Sequence, residues 1–455
     1  MRFTGFAVAV LLGFSALAGA TVQPVAERAA ALIETHDYQG AATLVRTALR
    51  RPPGTAELWN LLGVCESELN RWAAARAAFE NGLKLDASSI TLNENIGLLY
   101  FRQSAYLTAK KYLEKSVLLG SDHPGTAFSL AASQIRTGEP QQGLALLKQL
   151  EEKLAGQPAY WTERGWAEVS NDPGDAARSF DRAIALQPDD VRALNGASSV
   201  AEAGHDDEKA LSFLIQAKKA APDDLRTLLH FGSLCLRRDL TVDALEAIER
   251  AYKLAPSNNL ALFLLARVQI SFQQWQKSHD LFMEYDHRVP GYAPTHYALG
   301  WLDTKLNRPS EARKHLERSL ALDPALVDAR YELGQLDLDE GRLDDAETKL
   351  RAVLQQQPRH AKALVTLGDV LLRKGDLTEA KSSYEGAIEA DANSGPAHYK
   401  LSTLLIRLEQ PELAEQERTL GARLNAEATR EAKTVLVLSD PEGRLMSGVQ
   451  TKGER

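Results

Sequence analysis

Small and apolar side chains recur along this chain with a period of 34 residues. The segments 56–63, 226–232 and 328–334 share one spacing of apolar residues before a glycine. Twelve repeats run from Val22 to Ala428 with one single-residue deletion, between the fourth and fifth repeats. Such a period predicts a stacked array of similar units rather than separate globular domains. The first residues of the repeats are Val22, Ala56, Ile90, Pro124, Gln157, Val191, Leu225, Asn259, Ala293, Val327, Ala361 and Gly395.

Two positions within the repeat predict close helix crossings. Position 20 holds alanine, glycine or serine in all twelve repeats. Position 8 holds glycine in six repeats and alanine or serine in five others. Small residues are expected where two packed helices approach too closely for a larger side chain. The exception at position 8 is Arg164, next to the deletion, where we expect a local distortion.

Prolines and turn residues divide each repeat into two helices. Seven prolines occupy position 32, four occupy position 17, and four more occupy position 1 or 2. Proline is excluded from helix interiors but tolerated in a first turn or just beyond an end. Asparagine or glycine, which accept the left-handed conformation that ends a helix, occupies position 15 in six repeats. Each repeat is therefore predicted to be helix, tight turn, helix.

The residues at these positions resemble the tetratricopeptide (TPR) repeat. The resemblance rests on Trp59, Leu62, Gly63, Ala75 and Phe79 in one repeat, and on Gly232, Ala244, Ala251 and Pro256 in another. It implies an all-α fold, a right-handed superhelical solenoid of stacked helical pairs whose first helices line a concave groove. It implies no chemistry, because the matching residues are packing residues.

Both ends of the chain differ from the repeats. The first twenty residues carry one positive charge at Arg2, an apolar run from Phe6, and small residues at Ala18 and Ala20, as in a secretory signal peptide. We expect cleavage near Ala20, and a secreted or periplasmic mature chain without a membrane span. The twelve repeats then occupy residues 21–428. Residues 429–455 would contain the end of a capping helix and a flexible tail, in which 434–438 could form an added strand, bind a partner or be disordered.

Composition and motifs narrow the function further. The formal net charge of −8 argues against general nucleic-acid binding, which needs a basic surface. No phosphate-binding loop, nucleophile elbow or zinc-binding helix motif occurs in the sequence. Cys65 and Cys235 are five repeats apart and are predicted to be buried thiols that do not pair with each other. We therefore predict a protein that is not an enzyme and uses no cofactor or metal.

A candidate binding groove follows from the first helix of each repeat. Position 5 is aromatic in half of the repeats, although a merely solvated face would be charged or small. One interpretation is a binding surface in repeats seven to ten, where aromatic rings give contact area and cations meet an acidic or C-terminal peptide. The other is that the rings pack sideways on the next repeat. The candidate residues are Arg226, His230, Arg237, Phe263, Arg267, Tyr297, Trp301, Lys305 and Tyr331.

Three functions fit these features. The first is an exported, non-catalytic scaffold that binds a protein or peptide partner through its concave groove. The second is a carbohydrate-binding scaffold of an envelope polysaccharide export system, because aromatic rows with polar neighbours also stack on sugars. The third is the substrate-recognition arm of a separate enzyme.

Overall fold

A computed structural model of the chain describes residues 23–50 and 54–431. Within these ranges all the regular elements are α-helices, as the repeat pattern predicted. The predicted signal peptide, its cleavage site and the tail after the last helix lie outside the described residues. The chain divides after Pro222 into two compact bodies, which are described separately.

The N-terminal body contains the first six helical pairs and one extra short helix. Each first helix packs on the second helix of its own repeat, and that second helix packs on the next first helix within the body. The helices are α1 (Gln23–Glu34), α2 (Tyr38–Leu49), α3 (Ala56–Glu68), α4 (Trp72–Leu85), α5 (Ile90–Arg102), α6 (Tyr106–Leu118), α7 (Pro124–Arg136), α8 (Pro140–Gln149), α9 (Glu151–Leu154), α10 (Pro158–Glu168), α11 (Pro173–Leu186), α12 (Val191–Ala203) and α13 (Asp207–Ala220).

The C-terminal body contains the remaining six helical pairs, packed in the same way. Its even-numbered helices are the first helices of their repeats, and its odd-numbered helices are the second. They are α14 (Leu225–Arg237), α15 (Thr241–Leu254), α16 (Asn259–Ser271), α17 (Trp275–Arg288), α18 (Ala293–Lys305), α19 (Pro309–Leu322), α20 (Val327–Asp339), α21 (Leu343–Gln356), α22 (Ala361–Lys374), α23 (Leu377–Ala390), α24 (Gly395–Arg407) and α25 (Pro411–Glu431).

The tight turn is left-handed in all but one of the repeats, as position 15 predicted. In eleven of the twelve repeats the residue at this position has a φ between 55° and 91°. Asn70 and Gly341 belong to this set, and so do residues that the sequence did not single out, such as Ser104 and Gln273. The backbone carbonyls at the end of the first helix are satisfied there, as when Arg71 N donates to Glu66 O.

The two small positions lie where the helices of one repeat cross. The position 20 residues from Ala41 to Ala414 are all buried. A Cβ atom added at Gly97 would stand 2.7 Å from Cγ of Leu113, and one at Gly300 would stand 2.6 Å from Cγ of Leu316. These glycines let the second helix bring a large side chain into the space that a Cβ would fill.

The deletion lies half a repeat later than the sequence indicated. Gly165, not Arg164, occupies the position 8 site, because a Cβ added at Gly165 would stand 2.6 Å from the ring of Phe180. Helix α10 therefore still follows the 34-residue spacing of the first four repeats. The missing residue falls in the turn between α10 and α11. The distortion predicted beside Arg164 is this shortened turn, in which Asn171 is absent from the left-handed residues.

The last helix continues beyond the length of the other second helices, as expected for a capping helix. It spans 21 residues, from Pro411 to Glu431. Ala414, Gly421 and Leu424 are buried, and a Cβ added at Gly421 would stand 3.0 Å from the carbonyl oxygen of Gly395 on α24. Leu413, in the first turn of the same helix, is 49% exposed.

Candidate functional site

The predicted groove residues all lie on first helices of the C-terminal body, but they differ in accessibility. Helix α14 carries three of them, α16 two, α18 three and α20 one. Five have side chains that reach solvent, namely Arg226, Arg237, Arg267, Lys305 and Tyr331. Four are buried, namely His230, Phe263, Tyr297 and Trp301. Those on α18 and α20 form one neighbourhood, whereas those on α14 are separated from it by α16.

Phe263 is a core residue and not part of a binding surface, which corrects the prediction. Its side chain is 0% exposed. Its ring lies 5.5 Å from that of Phe282, 5.1 Å from that of Tyr285 and 6.1 Å from that of Tyr292, measured between centroids. The ring therefore packs into the core, but the three rings around it belong to its own repeat, whereas the second interpretation placed the contact on the next repeat.

Tyr297 and Trp301 also contribute mainly to packing. Tyr297 is 7% exposed, and burial raises the pKa of its hydroxyl well above the usual range. The ring of Trp301 meets that of Trp275 edge to face at 5.6 Å. Lys305 Nζ stands 4.9 Å from the centroid of the Trp301 ring, within the range of a cation–π contact. This ring thus positions a cation that does reach solvent.

A row of polar side chains follows on the next first helices, beside half-buried Tyr331. The Tyr331 ring lies 5.3 Å from that of His360 at the start of α22. Thr366 Oγ1 donates a hydrogen bond of 3.2 Å to Gln335 Oε1. Gln335 Nε2 in turn donates to Asp339 Oδ1 at 3.1 Å. These contacts join α20 and α22 through polar groups rather than apolar packing.

Glu332 is the residue that the sequence prediction missed. It is half-buried between two exposed lysines, Lys305 on α18 and Lys362 on α22. Burial raises the pKa of the Glu332 carboxyl group to about 7, an effect that both lysines oppose and that Asp328 reinforces. Near neutral pH this carboxyl group can therefore be either a hydrogen-bond donor or a charged acceptor.

We call Lys305, Tyr331, Glu332, Gln335 and Lys362 the first-helix surface. Position 6 is Glu332, Thr366 and Lys400 in three successive repeats. This run of polar residues is the sequence signal from which the first-helix surface could have been predicted. Across the described parts of the chain, no group of three or more His, Cys, Asp or Glu side chains is arranged to hold a metal ion. None of the helices described above is both long enough and apolar enough to cross a membrane.

Comparisons with solved structures and curated proteins give the following matches. The crystal structure of the APC/C hetero-tetramer Cut9-Hcn1 aligns with 88% of this chain and 87% of that chain, at 14% identity and a TM-score of 0.47. A structure titled MamA RS-1 ArsTM double mutant aligns with 38% of this chain and 98% of that chain, at 18% identity and a TM-score of 0.34. No curated protein matches the sequence.

The family comparison matches more than half of the chain. The tetratricopeptide repeat profile matches residues 27–90, 167–224, 297–358, 331–396 and 365–424. The last three of these ranges include the whole first-helix surface. Together with the helical pairs and their left-handed turns, this match shows that the chain belongs to the tetratricopeptide repeat family.

Proposed function

We propose that this protein is an exported, non-catalytic scaffold that binds a protein or peptide partner through the first-helix surface. Tetratricopeptide repeats are typically protein-interaction scaffolds. The observation that carries the proposal is the half-buried Glu332 between Lys305 and Lys362. Packing of α18, α20 and α22 does not require a carboxyl group held at a raised pKa, and such groups are more common at sites of function.

The charges of this surface favour an acidic partner segment. Lys305 and Lys362 are exposed on two different first helices, and both act on the same carboxyl group. A partner carboxylate can contact the ammonium groups of both lysines. Because the pKa of the Glu332 carboxyl group is about 7, this group can stay protonated beside the partner carboxylate. Tyr331 adds aromatic contact area next to these charges.

Site-specific photo-crosslinking tests this surface. A photoreactive amino acid replaces Lys362 in one variant, and exposed Lys314 on second helix α19 in a matched control. Crosslinking in native extract should give a protease-sensitive adduct at 362 and none at 314. With the probe at Gln335 instead, the otherwise unchanged chain should also give an adduct, and the double variant Lys305→Glu, Lys362→Glu should lose it. Equal adducts at 362 and 314, or an adduct that only a glycosidase removes, would contradict the proposal.

Export is supported by the charged, apolar and small-residue pattern of residues 1–20. The measurement is the intact mass of the chain recovered from the envelope and cytoplasmic fractions of an expressing bacterium. Export predicts that the chain is recovered in the envelope fraction and lacks the residues up to Ala20. A full-length cytoplasmic product would contradict export while leaving the binding proposal standing.

A further inference from the structure

Five titratable side chains form a continuous chain across α17, α18 and α19. His296 Nε2 lies 3.4 Å from Asp286 Oδ1, and His296 Nδ1 lies 3.3 Å from His315 Nδ1. His315 Nε2 lies 4.0 Å from Asp303 Oδ2, and His279 Nε2 lies 3.3 Å from Asp303 Oδ1. The Asp303 side chain is 1% exposed, and neither of its carboxylate oxygens has a hydrogen bond of good geometry. This is an unusual position for a buried carboxylate.

The next repeat offers a direct comparison for a carboxylate at this place. Asp337 stands one repeat, 34 residues, after Asp303 and is 0% exposed. Arg313 Nη2 lies 2.8 Å from its Oδ1, Arg342 Nη2 lies 2.7 Å from Oδ1, and Lys349 Nζ lies 2.5 Å from Oδ2. Three permanent cations thus compensate one buried negative charge.

Around Asp303 two of these three cations are replaced by histidines. His279 occupies the repeat position of Arg313, and His315 occupies that of Lys349. The third position keeps an arginine, Arg308, whose Nη1 lies 3.9 Å from Asp303 Oδ1. The charge balance of this repeat interface therefore depends on protons, whereas that of the next one does not.

The contact between His296 and His315 limits how many protons the cluster can hold. Their rings are stacked, with centroids 5.6 Å apart and an angle of 25° between the planes. At 3.3 Å, one of the two facing Nδ1 atoms has to be unprotonated in order to accept a hydrogen bond. If both rings were imidazolium, two N–H groups and two positive charges would face each other. This contact is therefore incompatible with protonation of both rings.

Burial and the surrounding charges shift the pKa values of the cluster in opposite directions. Burial lowers the pKa of His296 and of His315, against the effects of Asp286 and Asp303 respectively. Burial raises the pKa of Asp303, and the neighbouring cations oppose this rise. The other charged groups close to the cluster are Asp280 on α17, Glu311 and Arg318 on α19, and Arg308 in the turn before it. Helix α20 contributes Asp337, which Arg313 of α19 holds.

We propose that His296 and His315 form a proton-operated latch between α18 and α19. When at most one of the two rings is protonated to imidazolium, the latch is closed as in the structure. In mild acid both rings become imidazolium, and the repulsion between the two charged rings opens the latch. Protonation of Asp303 relieves one buried charge but also removes the counter-charge of His279 and His315, so it does not close the latch again.

The sign of the pH effect follows from the lowered histidine pKa values. The contribution of His296 and His315 to the stability of the fold is complete above the ordinary histidine pKa of 6.5. It is lost as the pH falls through their lower folded-state pKa values. Asp303 acts in the opposite sense, since its pKa is raised from 3.8. The facing Nδ1 atoms of His296 and His315, 3.3 Å apart, cannot both carry a proton, so the histidine pair determines the loosening in acid. Because α18 also carries Lys305, the latch would regulate partner binding, a consequence that rests on the proposed function.

Hydrogen exchange measured by mass spectrometry tests the latch on the full chain without any partner. After correction for the intrinsic effect of pH on exchange, protection of α18–α19 peptides should fall about tenfold or more between about pH 7.5 and about pH 5.5. Peptides from α3–α4, which contain no histidine, should change much less. The variants His315→Gln and His296→Gln keep a polar side chain without the charge, and each should abolish the loss. His287→Gln, an exposed histidine on α17, should behave as the wild type.

Unfolding temperatures recorded at both pH values identify any variant that fails to fold, and either glutamine variant alone suffices for the test. Unchanged α18–α19 protection in the wild type at about pH 5.5 would overturn the proposal. An equal loss in the wild type and in a folded glutamine variant would also overturn it. Failure of the crosslinking experiment at Lys362 would leave the latch untouched, because exchange is measured on the chain alone.

Discussion

Gly368 and Tyr384 approach each other so closely that a Cβ atom on the glycine would stand 2.5 Å from Cε1 of the tyrosine ring. The ring is fully buried, and its hydroxyl donates a hydrogen bond of 2.7 Å to Asp369 Oδ1. The glycine on α22 and the ring on α23 therefore fix the crossing of two helices. This relationship repeats in other pairs of the array, including Gly63 with Phe79.

Substitution of Gly368 by alanine should destabilise the protein by about 1 to 3 kcal/mol, because the ring cannot move without losing its hydrogen bond. Chemical denaturation measures the change. Gly386→Ala on α23 is the matched control, since a Cβ there would stand 3.8 Å from Leu364, an ordinary contact. It should stabilise the helix by about 0.5 to 1 kcal/mol. Equal effects of the two substitutions would show that the crossing is looser than the structure indicates.

Replacement of Glu332 by glutamine should change stability in a pH-dependent way. The folded-state pKa of about 7 lies above the ordinary 4.5, so the wild type loses stability as the pH rises between these values. Glu332→Gln lacks this loss and should be more stable than the wild type by about 1 to 2 kcal/mol above pH 7. Below about pH 4.5 the two proteins should be equally stable. Urea denaturation at several pH values measures the difference.

Glu347→Gln provides the opposite sign. Hydrogen bonds from Lys374 and Arg351 lower the pKa of the Glu347 carboxyl group, so its charge stabilises the fold at neutral pH. The substitution should destabilise slightly near pH 7, by at most about 1 kcal/mol for a pair that is largely solvated, and have no effect in strong acid. A glutamine effect of the same sign at both sites would contradict the role of burial at Glu332.

The Cys65 thiol should be unreactive in the folded protein. It is fully buried, and burial raises its pKa to about 12, so almost no thiolate forms at neutral pH. Cys235 is buried as well. A thiol-specific dye should label neither cysteine under native conditions and both in denaturant. Ala321→Cys, at an exposed site on α19, supplies the reactive control. Labelling of Cys65 as fast as the control would contradict its burial.

The helical pairs could be predicted from sequence because local residues determine them. The left-handed turn and the small crossing residues act within one repeat, so their spacing alone identifies the elements. The phase failed only where the turn itself changed length, after α10, since Arg164 and Gly165 are adjacent and only the contact with Phe180 distinguishes them.

The binding surface could not be predicted in the same way. Phe263 and Tyr331 share position 5, yet one is 0% exposed and the other reaches solvent. The difference comes from the aromatic rings of Phe282, Tyr285 and Tyr292, which surround Phe263 from other segments. Exposure at a repeat position thus depends on neighbours that the position itself does not encode.

Truncation of the position 5 aromatics to alanine should separate core rings from accessible ones. Phe263→Ala removes a fully buried ring and should cost about 3 to 5 kcal/mol. Tyr399→Ala removes a ring that is 53% exposed and should change stability by less than about 0.5 kcal/mol. Half-buried Tyr331 should fall between them, because its ring contacts His360 but leaves part of its surface to solvent.

The same three variants test the first-helix surface when they are combined with crosslinking at position 362. Tyr331→Ala should weaken the adduct more than it weakens the fold, because its exposed ring area is available to a partner. Tyr399→Ala lies outside the surface and should leave the adduct unchanged. Phe263→Ala should reduce the adduct only in proportion to the fraction of unfolded protein. If Tyr331→Ala lowered stability as much as Phe263→Ala, then Tyr331 would be a core residue, and the first-helix surface would be left with its charged groups alone.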